Sequence, residues 1–351
     1  MGEESASRWH IVGVIAQYWF VSISLVYINK YIVSGQPAPV PIFITWSQCI
    51  VTCVICWVCG MLGQTMRGGQ SGADREKAER ERPAGSKSSL SSFLAGFPKA
   101  RYDRDAALKV LPLSFVFVVM IVSNQLTLKY VEVSFYNVAR SLTIPFNALF
   151  SVVILRSVVS CRTIGCLVVV LAGFIVGCEG EVQLSKLGIQ WGLISSVAVS
   201  LNAIYTKKAL PYVMNDVWRL TFINNVNACF LFIPAVLIFE GDTLREHSQV
   251  LFTKPFVGGL LITGMLGFMM GIVSVNQIRA TSPLTHNISG TAKAGVQSAL
   301  AFKIWGNKAT FMACAGIFLV LFGSSLYTYV KVTEAQKAPA KLEGGKPLLP
   351  K

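Results

Sequence analysis

The chain has 351 residues, of which 53% are hydrophobic and only 14% are charged, and its formal net charge is +14. So apolar a composition lies outside the range of ordinary soluble domains and predicts a protein embedded in a membrane. The positive charge does not indicate nucleic-acid binding, because Lys and Arg are scattered over predicted loops and tails rather than gathered on one compact domain with aromatic residues between them.

Apolar segments of membrane-spanning length recur along the whole chain. A hydrocarbon core of about 30 Å takes roughly 20 apolar residues of helix, and helices are expected because hydrocarbon cannot satisfy an open backbone. The sequence therefore predicts an all-α polytopic membrane protein with about ten transmembrane helices. The predicted crossings are residues 11–33, 41–63, 108–127, 134–155, 163–179, 188–206, 218–239, 255–277, 284–303 and 309–330.

The connections between the crossings predict the orientation of the chain. With a cytoplasmic amino terminus, formed by residues 1–10, most Lys and Arg residues lie on the cytoplasmic side, as the positive-inside rule requires. An even number of crossings then returns the chain to the cytoplasm, where residues 332–351 are expected to form a disordered tail. The connection at 64–107 contains "ADREKAERERPAGSKSS" and is expected to be a mobile cytoplasmic loop. Docking of a cytoplasmic protein or of anionic lipid is the alternative role for this loop.

Residues typical of metal sites and catalytic triads form no recognisable motif. The nine cysteines lie mostly within crossings, where a thiol behaves as a small hydrophobe. His10, His247 and His286 are far apart in the sequence, and neither HExxH nor a Ser-His-Asp order is present. The sequence therefore predicts no metal, no cofactor and no enzymatic activity.

The two halves of the chain echo each other, as they do in transporters built from inverted repeats. The segment "VSISL" of the first crossing resembles "VAVSL" of the sixth, and "NVARSLTIPFNAL" of the fourth can be laid over "NISGTAKAGVQSAL" of the ninth. We therefore expect one five-helix repeat over residues 11–180 and a second over 181–331. Because five is odd, the second repeat enters the membrane inverted, and corresponding positions converge near the midplane.

Two basic residues lie deep within predicted crossings. Arg140 is in the fourth and Lys293 in the ninth, and the repeat alignment places them about one helical turn apart on corresponding helices. An unpaired cation at this depth costs roughly 2.5–3.5 kcal/mol, so it normally faces a polar cavity and a partner. The acidic residues lie near the ends of the crossings, so the sequence predicts that a ligand supplies the negative charge. A diphosphate would be a suitable ligand, because Arg can bind it with two hydrogen bonds while Lys adds a compact positive charge.

Other roles for these cations stay open. Lys293 can instead reach a headgroup, and Arg140 can instead bind backbone carbonyls. Lys30, close to the end of its crossing, is the better candidate for reaching a headgroup. Pro145 is expected to bend the fourth crossing, and the small residues Gly290 and Gly295 of the ninth suit either a ligand cavity or close helix packing.

The seventh crossing holds a second polar cluster, "WRLTFINNVNACF", which contains Asn224, Asn225 and Asn227. Each primary amide offers two donors and an acceptor, an inventory that suits the edge of a guanine. The alternative is that these amides form hydrogen bonds between helices and hold the bundle together.

The chain resembles the nucleotide-sugar transporters of the drug/metabolite transporter superfamily, and among them the group that carries GDP-fucose in the Golgi. The resemblance covers nearly all of residues 11–331 and depends on "VSISLVYINKY", "LKYVEVSFYNVARSLT", "SLNAIYTKK", "WRLTFINNVNAC" and "TSPLTHNISGTAKA". It implies a multi-pass Golgi protein with both termini in the cytoplasm, which exchanges cytosolic GDP-fucose for lumenal GMP by alternating access. The expected partners are GDP-fucose, GMP and the lipid bilayer, but not nucleic acid, and a homodimer is left open.

The resemblance also assigns residues. The guanine-recognising motif Phe-Tyr-Asn-Asn of the family aligns with residues 222–225, where Ile223 replaces the tyrosine. The Gly-Ala-Leu-Asn-Lys motif of GDP-mannose carriers aligns with residues 289–293, where only the lysine is identical. The expected contacts are Arg140 and Lys293 with phosphate, Asn224 and Asn225 with guanine, and Tyr27, Asn137, Ser141, Asn287 and Thr291 with sugar or ribose.

Three alternative functions stay open at the level of sequence. GDP-mannose or another GDP-sugar could be carried, because the same groups would hold the common GDP moiety. A membrane-embedded, glycosyltransferase-like enzyme would need a carboxylate or metal-binding pair near the cations. A polytopic receptor or scaffold is the third class.

Overall fold

A computed structural model describes residues 2–35, 40–67, 102–156, 159–180, 185–251, 253–281, 283–305 and 310–337. Within these ranges the regular elements are α-helices and one short 3-10 helix, Leu210–Val213, which confirms the predicted all-α class. Most of the predicted 64–107 loop and the chain beyond residue 337 lie outside the described residues.

The helices overlap the predicted crossings, with most ends within four residues, but the first helix begins nine residues earlier and the last one ends seven residues later than predicted. They are α1 (Gly2–Gly35), α2 (Pro41–Arg67), α3 (Arg104–Tyr130), α4 (Val133–Ser141), α5 (Thr143–Leu155), α6 (Cys161–Gly180), α7 (Lys186–Ala209), α8 (Val217–Phe239), α9 (Gly241–Glu246), α10 (Ser248–Leu251), α11 (Lys254–Ala280), α12 (Pro283–Trp305) and α13 (Phe311–Lys337). Among the described residues, nine helical segments are long and apolar enough to cross a membrane, and each coincides with a predicted crossing.

Helix α12 is the predicted crossing that does not belong to this apolar group. Its 23 residues are enough to span a bilayer. Polar side chains such as His286, Gln297 and Lys293 make α12 more hydrophilic than the nine apolar segments. A chain of many membrane-spanning helices is therefore established, while the count of ten and the inverted repeats stay predictions.

The fourth crossing is interrupted at Leu142, between α4 and α5. Proline has no backbone N–H, so Pro145 cannot donate to the carbonyl of Ser141 as a regular helix would require. At the interruption itself, the Leu142 N–H donates to the Ala139 carbonyl at 3.2 Å, and the Thr143 hydroxyl donates to the Arg140 carbonyl at 2.6 Å. The fourth crossing is thus divided into two helices at Leu142, two residues after Arg140.

The chain folds into two compact units. Unit 1 comprises the described residues of Met1–Phe20, Val131–Ile189 and Val273–Lys351, and unit 2 comprises those of Val21–Tyr130 and Gln190–Ile272. Each unit therefore takes helices from both predicted repeats, and the repeat boundaries at 180 and 181 are not tested by this division.

Unit 1 is packed around glycines of α6 and α13. A Cβ atom added at Gly316 of α13 would lie 2.5 Å from the Cα atom of Gly177 in α6, so the two backbones are in direct contact there. Helix α12 packs against both α13 and α4. The same close packing occurs at Gly295, where an added Cβ would lie 2.8 Å from Leu321.

Unit 2 is held by apolar clusters and by buried polar contacts between its helices. One cluster joins α3, α7 and α8 through Val110, Ala209 and Ile223. At one end of α8, the Glu240 carboxylate accepts hydrogen bonds from the backbone N–H groups of Ile42 and Phe43 in the first turn of α2, both at 2.8 Å. These N–H groups have no partner within their own helix, so Glu240 satisfies them from another helix.

Lys30 also has an interhelical partner. Its ammonium donates to the Leu128 carbonyl in the last turn of α3. The carbonyl groups at the end of a helix therefore offer Lys30 an acceptor within unit 2, while its reach to a headgroup stays a prediction.

Candidate functional site

Unit 1 brings the two predicted phosphate-binding residues together around Tyr18 of α1. The Lys293 ammonium lies 5.8 Å from the centroid of the Tyr18 ring, a distance at which a cation is attracted by the ring face. Arg140 lies within electrostatic range of both Tyr18 and Lys293. Residues that are 153 positions apart in the sequence therefore form one positively charged site.

Arg140 reaches this site from the last turn of α4, immediately before the break in the fourth crossing. Its Nη1 group donates a hydrogen bond of 2.9 Å to the hydroxyl of Tyr136, one turn earlier on the same helix. Tyr136 is buried, whereas Arg140 is exposed. Because a guanidinium carries five N–H donors, a single bond to a phenol leaves capacity for an anionic ligand.

The site contains two like charges in one neighbourhood. Lys293 is half-buried, and it and Arg140 repel each other. The ion pairs seen within the described chain, Arg219 with Asp103 and Lys331 with Glu334, do not include Arg140. A bound anion would interact favourably with both cations and would oppose their mutual repulsion.

Two of the five residues predicted to contact sugar or ribose form hydrogen bonds within unit 1. The Asn137 amide donates to the Ser298 hydroxyl at 3.0 Å and to the Ala294 carbonyl at 3.4 Å, which ties α4 to α12. The Ser141 hydroxyl donates to the Val138 carbonyl at 2.6 Å. Thr291 is half-buried on α12, two residues before Lys293.

The other two predicted sugar contacts are Tyr27 and Asn287. Tyr27 is half-buried and belongs to unit 2. The side chain of Asn287 lies outside the described residues.

The three asparagines of α8 differ in what their side chains do, although all three are buried. Asn227 donates to the Ala107 carbonyl at 3.0 Å and to Ser114 at 3.2 Å, and it accepts from the Tyr102 hydroxyl at 3.0 Å. It is therefore a structural link between α3 and α8, as the alternative interpretation of this cluster proposed.

Asn224 and Asn225, the two predicted guanine contacts, have fewer partners. The Asn225 amide donates to the Thr221 carbonyl of its own helix at 2.9 Å. The Asn224 carbonyl oxygen is buried and has no hydrogen-bond partner among the described residues, and the same holds for the carbonyl oxygen of Asn202 in α7. A buried acceptor without a partner costs about 1–3 kcal/mol, which a donor group on a ligand could recover.

Sequence reasoning missed Tyr18, Tyr136 and Gln277, all of which contribute to the polar interior of unit 1. Tyr18 and Tyr136 look like ordinary aromatic residues of an apolar crossing, and their contacts with the cations depend on how the helices rotate and pack. Gln277 could have been predicted from the sequence to form polar contacts, because a primary amide inside a crossing normally needs hydrogen-bond partners.

Comparisons with known proteins agree with this architecture. Residues 10–328 match the sequence model of the Triose-phosphate Transporter family. A protein named GDP-fucose transporter 1 from Monosiga brevicollis is 41% identical over 331 residues, covering 93% of this chain and 92% of the relative. The GDP-fucose transporter of Caenorhabditis elegans is 40% identical over 336 residues, covering 93% of this chain and 85% of the relative.

Two further similarities extend the comparison. A Drosophila melanogaster protein named "GDP-fucose transporter, Golgi" is 34% identical over 331 residues, covering 92% of this chain and 90% of the relative. A chain from a solved crystal structure is 13% identical with a TM-score of 0.51, and the match covers 94% of this chain and 99% of that one. At this identity the structural likeness shows a shared fold and nothing more.

Proposed function

The chain belongs to the Triose-phosphate Transporter family, and we propose that it carries GDP-fucose across the Golgi membrane in exchange for GMP by alternating access. The names of relatives that are 34–41% identical over nearly the whole chain support the substrate and the Golgi membrane. The observation that carries the proposal is the convergence of Arg140 and Lys293 around Tyr18 within unit 1.

We assign the pyrophosphate of the cargo to these two cations. Two unit charges of the same sign repel each other. A pyrophosphate carries at least two negative charges and offers several acceptor oxygens, so it can bind the guanidinium and the ammonium together. The phosphate of GMP meets the same requirement, which suits a carrier that returns GMP after delivering GDP-fucose.

The guanine is assigned to Asn224 and Asn225 of α8. The unpartnered Asn224 carbonyl oxygen is suited to the N–H donors on the guanine edge. We assign the Asn225 carbonyl oxygen to the same base, because its amide nitrogen already donates to Thr221. For the sugar and ribose we keep Tyr27, Asn287 and Thr291, and a ligand would have to share or replace the existing hydrogen bonds of Asn137 and Ser141.

Exchange, rather than one-way transport, follows from the electrostatics of this proposal. An empty carrier would have to change conformation with two like charges close together, whereas a carrier loaded with an anion would not. A ligand shifts a conformational equilibrium only through such differences between states. We therefore expect GMP or GDP-fucose to be needed for each reorientation, and the positive-inside rule places both termini in the cytoplasm.

The proposal is tested with purified protein in liposomes that are preloaded with GMP. Labelled GDP-fucose outside should enter only when GMP is inside, while UDP-sugars and CMP-sialic acid should not enter. Equal uptake of GDP-mannose would assign the carrier to GDP-sugars in general. Uptake that is independent of internal GMP would contradict the exchange mechanism, and the lack of binding of any guanine nucleotide would contradict the proposed function.

A further inference from the structure

A second polar group of side chains lies next to the cation site, on three helices of unit 1. Gln277 of α11 has no exposed surface. Its amide nitrogen donates to the Ser289 hydroxyl of α12 at 3.0 Å, and the indole N–H of Trp19 in α1 donates to the same hydroxyl at 2.8 Å. The Nδ1 atom of His286 lies 2.9 Å from the Gln277 carbonyl oxygen. We call Trp19, Gln277, His286 and Ser289 the glutamine network.

The hydrogen bonds of Gln277 determine the hydrogen-bonding role and the orientation of the His286 ring. Because the amide nitrogen of Gln277 faces Ser289, its carbonyl oxygen faces His286, and a carbonyl oxygen can only accept a hydrogen bond. With the Gln277 amide oriented in this way, the Nδ1–H group of His286 is the donor of the hydrogen bond to Gln277. The hydrogen bond restricts the rotation of the imidazole ring, since the ring must keep Nδ1 directed at α11.

The glutamine network is one aromatic ring away from Lys293. The His286 ring packs against Tyr18 with ring centroids 4.9 Å apart and an angle of 59° between the planes. The Lys293 ammonium lies over that same Tyr18 ring. Tyr18 is 6% exposed, so its ring is confined between these neighbours. His286 and Lys293 therefore contact the same buried ring, and the contact with His286 helps to hold that ring in place.

We propose that Gln277 and His286 are positioning residues, which hold Tyr18 and through it Lys293 in the geometry that binds the anionic part of the nucleotide. This inference rests on the proposed function, because it assigns the affinity of that same site to residues that do not touch the cargo. Preorganised groups bind more tightly because less conformational freedom is lost on binding.

A purely structural role for Gln277 predicts a different outcome. If the glutamine network only joined α1, α11 and α12, its loss would lower the amount or the thermal stability of folded protein. The affinity of each folded molecule for the nucleotide would stay the same. The distinguishing measurement is therefore the dissociation constant of GMP and the KM of exchange, normalised to folded protein.

Gln277→Leu is the primary variant, because leucine has a similar size but no hydrogen-bonding group. We expect the dissociation constant of GMP and the KM for GDP-fucose to rise roughly tenfold, with a maximal exchange rate within about twofold of wild type. Ser324→Ala is the matched control in unit 1, since the buried Ser324 hydroxyl donates only to the Val320 carbonyl of its own helix, and it should bind GMP like wild type.

His286→Phe is a second variant that separates the hydrogen bond from the ring contact. Phenylalanine keeps an aromatic ring beside Tyr18 but has no donor for Gln277, so we expect a rise in both constants of roughly threefold. It also tests the inference should Gln277→Leu fail to fold. Unchanged GMP affinity in either folded variant would overturn the positioning role. A wild-type protein that binds neither GMP nor GDP-fucose would overturn the proposed function and this inference with it.

Discussion

The polar and charged side chains of the two units have different kinds of partners. In unit 2 the Glu240 carboxylate has two backbone N–H donors in α2, and the Asn227 amide has three partners in α3 and in the residues just before it. In unit 1 the cations Arg140 and Lys293 lie close together and contact the aromatic residues Tyr136 and Tyr18. The polar groups of unit 2 bond to one another and so join its structure together, whereas the two neighbouring positive charges of unit 1 favour an anionic ligand.

The same contrast occurs within α8. Asn224 is 7% exposed and Asn227 is 5% exposed, so burial alone does not distinguish them. Asn227 is bonded on both its donor and its acceptor sides, while the Asn224 carbonyl oxygen has no partner within the described chain. The hydrogen-bond inventory, rather than burial, therefore separates a residue that holds the fold from a candidate ligand contact.

The largest expected effect comes from removing a cation of unit 1. Lys293→Ala should lower GDP-fucose/GMP exchange at least roughly 100-fold, because the compact charge assigned to phosphate is lost, and the protein should stay folded. Exchange in reconstituted vesicles measures the loss. Lys109→Ala is the control, since Lys109 lies 5.4 Å from the Tyr212 ring in a similar cation–π contact but is exposed in unit 2. Wild-type exchange by the Lys293 variant would remove the phosphate assignment.

The asparagines of α8 should respond in opposite ways. Asn227→Ala removes the hydrogen bonds that this amide forms with Ser114, Tyr102 and the Ala107 carbonyl, so the free energy of unfolding should fall by about 1–3 kcal/mol. Asn224→Ala removes a buried acceptor that has no partner among the described residues, so it should cost little stability but should weaken GMP binding roughly tenfold.

Thermal unfolding and GMP binding, both measured in detergent, test the two asparagine variants together. The fraction of Asn227→Ala protein that folds should bind GMP with wild-type affinity. Each variant is therefore the control for the other. A loss of stability in Asn224→Ala without any loss of GMP affinity would reverse the assignment and make Asn224 a structural residue.

The helices were predictable from the sequence because a membrane crossing needs only a run of apolar side chains of known length. The cations were predictable because charged residues at that depth are rare. The partners were not, since the contact of Trp19 with Ser289 depends on the rotation and tilt of two helices that are distant in the sequence. Lys30 shows the same limit, because its position near a helix end was equally compatible with a headgroup and with the Leu128 carbonyl.

The smallest expected effect concerns the carboxylate that caps α2. Burial raises the pKa of Glu240 above its usual value of 4.5, although the N–H groups of Ile42 and Phe43 and the charge of Lys129 act in the opposite direction. The folded protein therefore holds the Glu240 proton more tightly than the unfolded chain does. The stability that comes from this difference is complete below about pH 4.5 and is lost as the pH rises through the raised pKa.

Glu240→Gln removes this titration, so the wild-type protein should lose stability relative to the variant as the pH increases above 4.5. The melting temperature of each, followed across pH in detergent, measures the difference, which should amount to a few degrees at most. Glu246→Gln, on the exposed end of α9, should follow the wild-type curve. A difference of the opposite sign would mean that the two N–H donors outweigh burial, and that Glu240 stabilises unit 2 chiefly as a charged cap.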